Sequence, residues 1–279
     1  MASAWLTGNG PVSLGDPLFL GIVNVTTDSF SDGGRFLEPE AALAQAQDLV
    51  RQGAGALDLG AESTRPGAAP VDPETEWARL EPVLARVRAA LPGVPVSLDT
   101  RHLPVAVRGL WAGAAAVNDQ SGFRDPALLE AAARGSCGLI AMRSRMEGPA
   151  FVMPPYGDPD PDQPGAAIQD LRAIRDRLLA AGVAPERILL DPGFGFGTTF
   201  AGDLALWEAL PGLPEAVGWP VERFCLGLSR KRFLAWRAGR RDLAPARRDG
   251  LAWEAHREAM AWGYRVFRTH RVAPLGVAE

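Results

Sequence analysis

Lysine is almost absent from this 279-residue chain: of 29 basic residues only Lys231 is a lysine, and the rest are arginines. In so arginine-biased a chain, a lone lysine either marks a position where arginine does not substitute or survives by chance. There are two cysteines, Cys137 and Cys225, each within an apolar stretch. They support neither a disulfide scaffold nor a zinc site. No apolar run reaches the ~18 residues of a membrane span. The first fifteen residues hold no Lys or Arg and no continuous apolar stretch, so no secretory signal is expected. Basic charge is not in excess: the net charge is -4 and the pI about 5.5, which argues against a dedicated nucleic-acid binder. Asparagine is scarce too, and two of the three, Asn24 and Asn118, end apolar runs. Against these absences stand 47% hydrophobic and 22% charged residues, the balance of a globular chain with enough length to bury a core. No linker divides it, so we expect one domain over residues 1–279, of metabolic-enzyme size, in the cytoplasm, with neither nucleic acid nor membrane as partner.

Short apolar segments recur, each ending in a polar residue: Leu18–Asn24, Ala56–Gly60, Val94–Asp99, Ala115–Asn118, Cys137–Met142, Arg187–Asp191, Arg223–Gly227 and Arg265–Thr269. Continuous rather than alternating, they fit parallel strands buried on both faces. Helical patterns separate them at Glu38–Gln52, Pro73–Ala90, Leu103–Trp111, Pro126–Arg134, Ala166–Ala181, Asp203–Leu210, Lys231–Ala238 and Arg248–Trp262. Asp72 before Pro73 is a candidate N-cap. Strands alternating with helices predict an α/β fold, a (β/α)8 TIM barrel, with a doubly wound open sheet as the competing reading. Gly148–Gly165, rich in proline, reads as a long surface loop between the fifth strand and its helix. Arg237–Arg248 reads as a second polar loop.

The polar residues gather at the C-terminal ends of these segments: Asn24, Asp99, Asn118 and Asp119, Asp191, Ser229–Arg230–Lys231, Arg268 and His270. In a barrel that end is the catalytic face. One strand-end Asp could merely cap a turn; recurrence at the same end of successive strands argues for a site. Gly-rich loops follow three strands, at Asp28–Gly34, Glu62–Gly67 and Asp191–Gly197. None has the dinucleotide register or a Gly-Lys-Ser/Thr P-loop, so nucleotide binding has weak support. A loop bearing Arg65 suits a lid over an anionic substrate.

Gly21-Ile-Val-Asn-Val-Thr-Thr-Asp-Ser-Phe-Ser-Asp-Gly-Gly34 and Leu57-Asp-Leu-Gly-Ala-Glu-Ser-Thr-Arg-Pro-Gly67 resemble the two long signatures of the dihydropteroate synthase family. Ser97–Thr100, Val117–Gly122, Leu190–Gly197, Gly227–Lys231 and Arg268–His270 fall in that family's order and spacing, so the resemblance spans about residues 18–272. It implies a TIM barrel that joins 6-hydroxymethyl-7,8-dihydropterin pyrophosphate to p-aminobenzoate, releasing pyrophosphate and forming 7,8-dihydropteroate, with Mg2+ as cofactor. It implies that Asp191, Asn118 and Lys231 bind the pterin ring and that Asp99 lies near its reacting methylene side. Asn24, Arg268 and His270 would hold pyrophosphate, with Asn24 near the metal. Thr64, Arg65, Pro66 and Phe196 would shape the p-aminobenzoate site. Asp99, Lys231, Arg268 and His270 would carry the catalysis.

The chain also departs from the family's pattern. Thr27 stands for a usual Pro, Met142-Arg-Ser-Arg for a Met-His-Met run, and Arg271 for an Asp. Arg232 stands where the family has a Ser that contacts the p-aminobenzoate carboxylate; it could still reach that carboxylate, or fill the pocket. Nine residues follow His270, so the eighth helix is expected to be short or missing, which bears on the homodimer the family forms. Alternatives are a divergent paralogue that binds pterin without p-aminobenzoate coupling and a pterin-dependent methyltransferase-like domain.

Overall fold

The computed structural model describes residues 3–25, 37–62, 70–147, 150–152, 154, 164–240 and 243–272. The chain opens with a hairpin, β1 (Ala4–Thr7) and β2 (Gly10–Ser13), and continues through β3 (Leu18–Asn24), α1 (Leu37–Arg51), β4 (Ala56–Gly60), α2 (Pro73–Ala90), β5 (Val96–Asp99), α3 (Leu103–Trp111), β6 (Ala116–Asp119), α4 (Pro126–Arg134) and β7 (Gly138–Met142). A second small hairpin, β8 (Met146–Glu147) and β9 (Ala150–Phe151), precedes α5 (Pro164–Ala180) and β10 (Ile188–Asp191). Then come α6 (Phe200–Ala209), α7 (Leu213–Val217), β11 (Cys225–Leu226), α8 (Arg232–Arg237), α9 (Asp249–Ala261) and β12 (Val266–Thr269).

Eight strands form one parallel sheet in the order β10-β7-β6-β5-β4-β3-β12-β11. A parallel bridge from Leu190 to Phe224 joins its two edges. The sheet is thereby closed, and the barrel rather than the open sheet is the fold.

Side chains alternate across each strand, and the core divides accordingly. Outward residues such as Leu57, Leu98, Val117, Leu139, Leu190 and Phe267 pack with the helices in one apolar cluster. Inward residues Leu20, Ala56, Ala116, Ile140, Leu189, Cys225 and Val266 form a second, inside the barrel. Trp5 and Leu14 of the N-terminal hairpin belong to that inner cluster. Trp5 is 1% exposed, and its indole Nε1 donates to the Arg187 carbonyl at 2.9 Å. Gly138 makes room for it, since a Cβ there would lie 2.6 Å from the Trp5 ring. The hairpin therefore plugs the N-terminal end of the barrel.

The helix boundaries follow from capping. Asp72 Oδ1 accepts from the Thr75 amide at 3.0 Å, with Pro73 in the first turn of α2. Thr199 caps α6 by accepting from the Gly202 amide at 3.3 Å. The stretch expected to be one long loop from Gly148 to Gly165 instead contributes a strand, because Ala150–Phe151 pairs back on Met146–Glu147. The expectation that the eighth helix after β12 is short or missing falls on residues outside those described, as do the loop residues Thr64, Arg65 and Pro66.

Candidate active site

The bore of the barrel changes character in one step along the strands. Two residues beyond the inward Ala56, Ala116, Leu189 and Val266 stand Asp58, Asn118, Asp191 and Arg268. The period of two puts all four inside, where β5 adds Ser97 and Asp99. Asn24 ends β3 and is exposed at the rim.

Arg268 ties this layer together. Its Nε donates to Asp58 Oδ2 and its Nη2 to Asp99 Oδ2. Asp58, fully buried, also accepts from Ser97 Oγ and from Asn118 Nδ2 at 3.0 Å. Asp99 Oδ1 takes the Gln120 amide at 2.6 Å. Buried charge of this density is tolerable only because each carboxylate is paired and hydrogen-bonded. Burial pushes the Asp99 carboxyl up to about 7, against the pull of Arg268, with Asp58 adding to the rise. Burial alone would lower the Arg268 pKa; Asp58 and Asp99 reverse this and hold it charged.

Across the well, Asp191 is also raised by burial, to about 6, opposed by the Gly193 amide, which donates to Oδ1 at 2.8 Å, and by Lys231. The glycines here are structural requirements. Gly193 has φ +77°, and a Cβ on it would sit 1.9 Å from the Arg143 carbonyl oxygen. The turn lets Phe196 lie under Lys231, whose Nζ is 4.2 Å from the ring centroid. Burial lowers Lys231 to about 8, with Asp203 and Asp191 acting the other way.

Lys231 is delivered by a braced loop. Arg230 takes a left-handed conformation, φ 60°, and its guanidinium grips both oxygens of Asp249 at 2.9 and 3.1 Å. Arg248 donates to the Arg230 carbonyl at 3.0 Å. Before it, Ser229 Oγ lies 3.0 Å from His270 Nδ1 and accepts the His270 backbone amide at 3.1 Å. Arg232 begins α8, exposed, with its guanidinium 5.4 Å from the Phe200 ring centroid.

The structure thus brings Asp99, Asn118, Asp191, Lys231, Phe196, Arg268 and His270 to one end of the barrel, with Asn24 at its rim and Arg232 on the flank. Asp119, expected with Asn118 at the mouth, points the other way: its carboxylate accepts from Ser121 Oγ and from the Ser121 and Phe123 amides, fixing the loop. Asp58, Ser97 and Gln120 escaped the sequence reading. For Asp58 the signal was an acid amid the buried run Ala56–Gly60, at an inward register.

A pocket with paired carboxylates, an amide and a lowered lysine over an aromatic ring is built to hold a flat heterocycle with mixed donors and acceptors. The family model described as pterin binding enzyme matches residues 20–270. A dihydropteroate synthase of Neisseria meningitidis serogroup C is 39% identical over 272 residues, covering 96% of this chain and 92% of its own. The dihydropteroate synthase of Xanthomonas albilineans, solved with 4-aminobenzoic acid, superposes with TM-score 0.86 at 35% identity, over 98% of this chain and 94% of its own. The same enzyme in complex with 7,8-dihydropteroate gives 0.80 at 34% identity, over 95% and 91%. Fold and site define a pterin-binding barrel enzyme. Within that class, the chain belongs to the dihydropteroate synthase family.

Proposed function

We infer that this chain is a transferase that condenses 6-hydroxymethyl-7,8-dihydropterin pyrophosphate with p-aminobenzoate. The observation that carries this reading is the buried layer Asp58–Arg268–Asp99 facing Asp191 and Lys231 across the well. It supplies matched groups for a pterin and, in Arg268, a cation for the phosphate beside it.

Asp191 accepts from the pterin amino and ring N–H groups, a fork suited to a carboxylate. Asn118 bonds the same ring, and Lys231 donates to its carbonyl while closing over one face. The dihydropterin pushes electrons toward its methylene, the methylene C–O bond breaks, and pyrophosphate departs with that electron pair. Asp99 stabilises the cationic pterin. The neutral amine of p-aminobenzoate forms the new C–N bond and then releases a proton, so no covalent enzyme intermediate is needed. Arg268, His270 and Asn24 hold the leaving pyrophosphate. Phe196 borders the amine site, to which the family resemblance also assigns Thr64, Arg65 and Pro66. Arg232, one residue beyond Lys231, takes the p-aminobenzoate carboxylate.

Mg2+ fits this site as a cation shared with the substrate. Among the described residues no three His, Cys, Asp or Glu converge on one point, and the well's Asp58 and Asp99 are engaged by Arg268. Asn24 offers an exposed amide oxygen at the rim. A magnesium ion that takes most of its oxygens from pyrophosphate and water suits that donor set. When bound it would neutralise charge developing on the leaving group.

The test separates pterin from phosphate recognition. Arg268→Ala and His270→Ala should weaken the pterin pyrophosphate by about tenfold or more, as loss of a charge-assisted bond requires. The pterin alcohol, measured by calorimetry, should lose much less. Equal losses for the two ligands would contradict the assignment.

A further inference from the structure

Gln120 is a polar residue of the well to which the reaction above gives no task. It follows Asn118 by two residues, so the alternation of β6 returns it to the barrel side after the outward Asp119. It is 8% exposed. Its Nε2 donates to Asp99 Oδ1 at 2.6 Å, and its other end, Oε1, is buried with no hydrogen-bond partner among the described residues. Turning the amide over would set its oxygen against an Asp99 oxygen, acceptor facing acceptor, so the orphan is the carbonyl. The loop does not need this side chain, because Asp119 already fixes it through Ser121 and Phe123. A buried acceptor left unpaired is costly, and one beside the carboxylate that faces the reacting side of the ring has a natural partner in the substrate.

We propose that Gln120 is a positioning and specificity residue of the pterin site: its amide N–H fixes the Asp99 carboxylate, and its carbonyl oxygen accepts an N–H of the bound dihydropterin. The proposal rests on the pterin reading above. Asp99 is otherwise faced by Arg268 from β12, Asp58 from β4 and, further off, Glu76 from α2. Arg268 favours the ionised form and the two acids oppose it, so the Gln120 hydrogen bond is the neutral group that helps keep Asp99 ionised.

The test uses Gln120→Met, which keeps length and shape but has no amide, and Gln120→Glu, which keeps an acceptor while setting a second carboxyl against Asp99. Gln120→Met should bind 6-hydroxymethyl-7,8-dihydropterin about tenfold more weakly by calorimetry. Its KM for p-aminobenzoate should stay unchanged. The acid limb of kcat/KM for the pterin pyrophosphate should move to higher pH in Gln120→Met and further in Gln120→Glu. A Gln120→Met enzyme with the parent's pterin affinity and acid limb overturns the proposal. So does a lower melting temperature with affinity and limb unmoved, since that assigns Gln120 to the fold alone. A parent that binds no pterin refutes the functional reading instead.

Discussion

Asp58 shows what a single side chain does here. It is fully buried and accepts from Ser97, Asn118 and Arg268, which come from three strands. Asp58→Asn removes the charge that holds Arg268 while keeping the shape. Breaking a buried ion pair on one side costs about 3–5 kcal/mol, so we expect a loss of that order in urea unfolding. A loss under 1 kcal/mol would show that Arg268 finds enough compensation in Asp99. Lys231 gives the second residue-scale prediction. The proposed mechanism uses Asp191 and Asp99, raised to about 6 and 7, in their ionised form and Lys231, lowered to about 8, in its protonated form. Activity should therefore fall below about pH 6–7 and again above about pH 8. Lys231→Arg should abolish the alkaline limb, because a guanidinium does not titrate there. Retention of that limb in the variant would assign it to another group. Asp58 was hard to see in the sequence because its partner Arg268 lies 210 residues away. Gln120 was hidden likewise, since only the folded neighbour Asp99 gives it meaning.

At the scale of elements, the strands were legible and the plug was not. Ala56–Gly60 and Leu18–Asn24 read as buried parallel strands and are so, because both faces meet apolar partners. The helix Pro73–Ala90 begins where the Asp72 cap and Pro73 place it, and Leu103–Trp111 begins with Pro104 in its first turn. The N-terminal hairpin strands, Ala-Trp-Leu-Thr and Gly-Pro-Val-Ser, form no continuous apolar run like those of the parallel strands and lie outside the strand–helix alternation. Its role depends on Gly138, more than a hundred residues on, leaving space for the Trp5 ring. Trp5→Ala should open a cavity inside the barrel and cost about 3–5 kcal/mol, read as a shift in the denaturation midpoint at unchanged slope. Because the hairpin is at the opposite end from the site, the KM values of the folded variant should match the parent. A large change in pterin affinity would contradict the separation of plug and site.

At the scale of the molecule, the closed parallel sheet divides two tasks between two ends. The N-terminal end is filled with apolar side chains around Trp5; the C-terminal end is lined with Asp58, Asp99, Asn118, Asp191 and Arg268. The arrangement brings opposite charges close inside the barrel, Arg268 resting on Asp58 and Asp99, the latter the carboxylate that the proposed mechanism sets against a cationic pterin. On the proposed function, arrival of the pyrophosphate would give Arg268 a second anionic partner and leave Asp99 to the ring. Coupling of the two substrates is thus the property on which the whole reading depends. The most direct measurement is pyrophosphate release from 6-hydroxymethyl-7,8-dihydropterin pyrophosphate with Mg2+, with and without p-aminobenzoate, with 7,8-dihydropteroate measured in the same samples. We predict release that accelerates with p-aminobenzoate and matches the dihydropteroate formed mole for mole. Pterin binding without any p-aminobenzoate-dependent release or dihydropteroate formation would contradict the account.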